Sequence, residues 1–122
     1  MAGTVAHYSP GPNERLRLAR EAKLITRPFN EIIAPWEDRI VTLRVKSNRS
    51  GGTEEQWIDL GEEAYLFARA IDDQKAAFAE ATRLLPPELA NNMRIANTRR
   101  ALHSAAQALD SILNVLAAPQ RH

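Results

Sequence analysis

The sequence predicts an α+β fold that is mostly helical: a short N-terminal helix, a β-hairpin, then a long antiparallel helical hairpin. Three observations carry that class. Apolar residues recur at helical spacing through the second half of the chain. They alternate instead between residues 40 and 46. Pro86-Pro87 separates two long periodic stretches, as a helix–helix connection would.

Residues 1–12 hold Gly3, Pro10, Gly11 and Pro12 without an apolar period and read as a mobile arm. A single domain is expected over 13–118. Asn13 is a good N-cap residue, and Glu14 follows in the first turn, where the helix dipole favours an acid. Leu16, Ala19 and Ala22 give one apolar stripe; Leu18, Ala22 and Ile25 give another. Pro28 makes Arg27 a poor helical residue, so this helix is expected to end near Leu24. Residues 29–34 add a short turn before Pro35.

Val41, Leu43 and Val45 alternate with Thr42, Arg44 and Lys46, the pattern of a half-buried strand. Ser50-Gly51-Gly52 is a turn signal. Residues 56–60 read as the return strand, with Ile58 and Leu60 inward and Trp57 outward. An isolated hairpin is marginal in water, so this one must pack on helices or pair with another edge.

Residues 61–85 read as a long helix, with Glu62 and Glu63 in its first turn. Ala64, Phe67, Ala68, Ile71, Phe78, Ala81 and Leu85 form its apolar stripe, which Leu66, Ala70, Ala77 and Leu84 widen. The arc is roughly twice the ~100° of a one-sided surface helix. The last helix is expected over 88–117. Ile95, Leu102, Leu109 and Leu116 recur every seven residues, and Thr98, Ala105 and Ile112 fill the alternate seam positions. Residues 119–122 form a tail. The two long helices carry more apolar width than one small chain is expected to cover. That predicts a twofold homodimer, built on Ile95, Leu102, Leu109, Ile112 and Leu116, or on β-hairpins paired edge to edge.

Composition excludes several functions. The 122 residues contain no cysteine, which rules out a disulfide scaffold, a thiolate metal site and a cysteine nucleophile. No apolar run approaches the ~18 residues of a membrane span, and the start lacks the layout of a secretory signal. A cytoplasmic protein with no membrane partner is expected. The net charge of +1 hides an uneven map: +4 over residues 1–50, −5 over 51–85 and +2 over 86–122. Such a molecule attracts its own copies, or a charged partner.

Chemistry-bearing residues are few. Arg99, His103 and Asp110 share a polar face of the last helix, so His103 is a candidate base steered by Asp110. The seven-residue step between them is ~10.5 Å along the axis, too far for direct contact. A solvated face is the simpler account. Glu62-Glu63 and Asp72-Asp73 lack the three- or four-residue spacing and inward aim of carboxylates that hold Mg²⁺. Gly51-Gly52 lacks the lysine and helix context of a phosphate loop. No cofactor or metal is expected. Arg39, Arg44, Lys46 and Arg49 cluster on the expected hairpin, and Trp57 lies beside them as a base-stacking candidate. Glu54, Glu55 and Asp59 cancel part of that positive field.

The expectation is therefore a non-enzymatic protein–protein interaction module, a small adaptor or inhibitor acting as a homodimer, of the kind carried by phages and plasmids. Its alternative is a nucleic-acid-binding accessory protein using the basic hairpin. A ligand site built on Arg99, His103 and Asp110 stands third.

Overall fold

Helices account for every regular element in the computed structural model, which describes residues 11–49 and 51–118. They are α1 (Pro12–Ile33), α2 (Trp36–Ser47), α3 (Glu54–Thr82), α4 (Pro87–Ala90) and α5 (Met93–Ala117). There is no strand among the described residues, so the α+β class is corrected to an all-helical bundle. The segments expected as arm and tail lie almost wholly outside the described residues.

The expected β-hairpin is absent because a helical period wins in both of its halves. Residues 40–46 lie inside α2. Trp36, Leu43 and Ser47 are buried and Ile40 is half-buried, a spacing of four, three and four that marks one helical face. Val41 and Val45, which a strand would turn inward, are each 51% exposed. The acids Glu37 and Asp38 open α2, while Arg44 and Lys46 close it, so both ends suit the helix dipole.

Residues 56–60 belong to the first turns of α3. Thr53 starts that helix. Its hydroxyl accepts from the Gln56 N–H at 3.1 Å, and the Gln56 side-chain oxygen accepts from the Thr53 N–H at 2.9 Å. This reciprocal cap satisfies two otherwise unpaired donors. Of the expected Ser50-Gly51-Gly52 turn, Ser50 lies outside the described residues, and Gly51 and Gly52 have φ of 87° and 100°, a region cheap only for glycine. The turn joins two helices rather than two strands.

Pro28 also fails to end α1, which continues to Ile33. A proline inside a helix costs ~3 kcal/mol. Against that, Ile25, Phe29 and Ile33 pack on the core from one face. Each such side chain contributes up to ~3 kcal/mol when fully buried. Three partly buried ones are enough to offset the proline. Thr26 is buried too, its hydroxyl donating to the Ala22 carbonyl at 2.8 Å.

α5 is the central element. It packs most extensively on α3 and also supports α1 and α2. Ile95, Thr98, Leu102, Ala105, Leu109 and Ile112 are all buried, and Leu116 packs against the same cluster. The seam expected to join two copies is therefore spent inside one chain. Self-association through Ile95, Leu102, Leu109, Ile112 and Leu116 would require opening the core.

Ring contacts fix the direction of the first helices. Phe29 meets Phe78 at 5.0 Å and Trp36 meets Phe67 at 5.8 Å, both edge-on. As the chain runs from α1 into α2, its partner runs back along α3, so the two are antiparallel. The Thr98 hydroxyl donates to Asn30 Oδ1 at 2.9 Å and ties α5 to α1. No helix among the described residues is long and apolar enough to cross a membrane.

Candidate binding hollow between α3 and α5

Between α3 and α5, a hollow of about 550 Å³ opens. Lys75, Phe78 and Ala79 line it from α3; Ala96, Arg99, Arg100, Leu102 and His103 line it from α5. The helical period explains the arrangement. Phe78 and Leu102 belong to the core stripes, so their buried side chains make the floor. Lys75 stands one turn before Phe78, half-buried. Arg99 and His103 stand one turn apart on the flank of α5, both exposed. The result is an apolar base with a cationic rim.

The Arg99 guanidinium lies 5.8 Å from the centre of the Phe78 ring, at the outer range of a cation–π contact. Arg100 donates to Asn97 Oδ1 at 3.1 Å. No carboxylate among the described residues lines the hollow. Among the described residues, none forms an ion pair with Lys75, Arg99, Arg100 or His103. Arg17 makes the contrast. Its hydrogen bond to Glu14, with the charges of Glu14 and Glu21, holds its pKa above the ordinary guanidinium value. Positive charge with no carboxylate in the lining, over an apolar floor, suits an anionic group attached to an apolar body.

Of the residues expected on the polar face, Arg99 and His103 reach this hollow and Asp110 does not. Asp110 is exposed two turns further along α5. The acid-steered base is therefore not assembled. Sequence reasoning missed Lys75 and Phe78 as site residues. Their signal was the Lys75–Phe78 step of three on α3, visible only once α3 is laid against α5.

The set assigned to the hairpin is dispersed. Lys46, Arg49 and Trp57 do meet, in a second hollow of about 470 Å³ at the α2–α3 corner. Asp59 and Glu63 line the same hollow, so its charges are mixed. Arg39 lies elsewhere, its guanidinium 3.9 Å from the centre of the Phe67 ring. Arg44 is exposed on α2 outside that hollow. Trp57 is half-buried against the core instead of facing outward, and its buried indole N–H has no protein hydrogen-bond partner among the described residues. No group of three or more His, Asp or Glu side chains among the described residues is placed to hold a metal ion. No family model, curated protein or solved structure matches the chain.

Proposed function

We propose that the chain is a non-enzymatic protein–protein interaction module, an adaptor or inhibitor. It seats an acidic partner segment bearing an apolar side chain in the hollow between α3 and α5. One observation carries this reading: Lys75, Arg99, Arg100 and His103 surround the Phe78–Leu102 floor with no acid of their own. The volume of about 550 Å³ lies within the range of ligand pockets, ~300–1,000 Å³. The corner hollow supports the nucleic-acid alternative less well. Its Lys46 and Arg49 share their lining with Asp59 and Glu63.

Anisotropy of labelled short peptides tests the proposal. The panel holds an acidic peptide with one Phe, the same peptide with Ala for Phe, a basic counterpart, and a single-stranded oligonucleotide of equal charge. The acidic Phe peptide should bind best. Burying a Phe contributes ~1.5–3 kcal/mol, so its Ala version should bind roughly tenfold or more weakly. Arg99→Glu with Arg100→Glu should abolish binding. An oligonucleotide that binds better than every peptide would overturn the reading in favour of nucleic acid. Peptide binding indifferent to Arg99 and Arg100 would sink it outright.

A further inference from the structure

The chain itself carries a surface of the kind this hollow takes. On the solvent side of α3, Ile58 is 61% exposed, Tyr65 55% and Leu66 57%. They stand among the exposed acids Glu54, Glu55, Asp59, Glu62, Asp72 and Asp73. At 100° per residue, Glu54, Ile58, Glu62, Tyr65 and Asp72 fall on one narrow face. This surface is apolar and acidic where the hollow is apolar and basic.

The two patches share one side of α3. Ile58, Tyr65, Asp72 and Ala79 recur every seven residues, and Ala79 lines the hollow. A straight helix drifts by only ~20° per seven residues, so these four positions form one continuous stripe. It runs from the acidic patch to the rim of the basic hollow. From Glu62 to Ala77, the middle of one patch to the middle of the other, is ~23 Å along the axis at 1.5 Å per residue. A twofold axis near Arg69, with two α3 helices antiparallel, lays each patch on the other. Every contact is then made twice, as a closed dimer requires. Near the axis, Arg69 of one copy comes level with Ala70 of the other, with that copy's Asp72 and Asp73 ~3 and ~4.5 Å further along the helix, within reach of a long side chain.

We propose that a second copy of the chain fills the hollow. Tyr65 of that copy enters over the Phe78–Leu102 floor, and its Glu55 and Glu62 approach the Arg99–Arg100 rim. This rests on the reading of the hollow as a protein-binding site, and it adds a regulation: an external acidic partner must displace the second copy. The dimer uses surface that the monomer core leaves exposed, unlike the spent seam of α5.

Light scattering and sedimentation of the full chain, with charge-swapped variants, provide the test. Wild type should be a dimer that weakens with salt, because exposed charge pairs are screened. Arg99→Glu with Arg100→Glu should give a monomer, and so should Glu55→Arg with Glu62→Arg. These positions are exposed, so circular dichroism should show unchanged helicity. An equimolar mixture of the two monomeric variants should restore a dimer, since one contact then keeps its native charges and the other is swapped on both sides, and both are attractive. Tyr65→Ala should weaken the wild-type dimer about tenfold or more. A monomeric wild type at high concentration overturns the proposal, as does a mixture that stays monomeric. The peptide assay separates this failure from that of the binding reading. If wild type is monomeric while the acidic Phe peptide still binds through Arg99 and Arg100, only the second copy is excluded. If the proposal holds, the Glu55→Arg, Glu62→Arg monomer should bind that peptide more tightly than wild type does.

Discussion

The two hollows of this molecule contain similar cations and differ in what stands beside them. At the α2–α3 corner, Lys46 and Arg49 share their lining with Asp59 and Glu63. Between α3 and α5, Lys75, Arg99, Arg100 and His103 share theirs with Phe78, Leu102 and two alanines. The field a partner meets depends on the uncompensated charge, not on the number of basic residues. A partner that trades water for the first hollow gains little, since its charges already balance. The second offers cations without acids in the lining, and apolar area to cover. The difference teaches that a core stripe reaching the surface beside cations without paired acids makes a different surface from one where cations and acids are mixed.

The floor gives the largest expected effect. Phe78 is buried, meets Phe29 edge-on and lies under Arg99. Phe78→Ala should cost about 3–5 kcal/mol of stability, the usual range for emptying a core phenylalanine site. Denaturant unfolding followed by circular dichroism reads this directly. A cost under ~1 kcal/mol would mean that the floor is not packed as described and that the contrast between the hollows fails.

Charge reversal sharpens the comparison next. Lys46→Glu with Arg49→Glu should leave binding of the acidic Phe peptide within about threefold of wild type, whereas Arg99→Glu with Arg100→Glu should reduce it by far more than tenfold, or ~1.4 kcal/mol. Equal losses from the two pairs, measured by anisotropy at one salt concentration, would show that general basicity governs binding.

Much of the helical half was legible and much of the first half was not. The seven-residue recurrence of Ile95, Leu102 and Leu109 specifies one buried face, and α5 buries it. What the pattern did not specify was the partner of that face. The missing coverage came from α1 and α2, once residues 40–46 are helical. There, Val41, Leu43 and Val45 suggested a strand, while Trp36, Ile40, Leu43 and Ser47 already described a helix. Short apolar runs fit both periods, and packing on α5 decides between them. Thr53-Glu54-Glu55-Gln56 was the local signal of a helix start that the strand reading passed over. The same error put Trp57 on the outside. In a helix it shares the face of Leu60, Ala64 and Phe67. Half of the candidate site was legible for a related reason. Arg99 and His103 share one helix, but Lys75 and Phe78 come from another, and a single helix cannot show what faces it.

Thr53→Ala tests the helix start at the corner hollow. Loss of an N-cap hydroxyl costs about 1 kcal/mol. The midpoint of thermal unfolding should fall modestly, while peptide binding at the α3–α5 hollow, far along the helix, should hold. A binding loss as large as that from Arg99→Glu with Arg100→Glu would mean that the two hollows are coupled through α3.

The smallest effect is expected at Trp57, and its sign carries the information. Among the described residues, the buried indole N–H has no protein hydrogen-bond partner. Leaving a buried donor unpaired costs about 1–3 kcal/mol. Trp57→Phe removes that donor and also removes part of the ring that packs against the core. The two terms oppose one another and are of similar size, so stability should change by less than about 1 kcal/mol. Denaturant unfolding of the variant measures the difference. A loss of ~2 kcal/mol or more would mean that the N–H has a hydrogen-bonded partner in solution, such as a water held in the corner hollow. That hollow would then be an occupied polar site, and the contrast with the α3–α5 hollow would become one between a filled site and an open one.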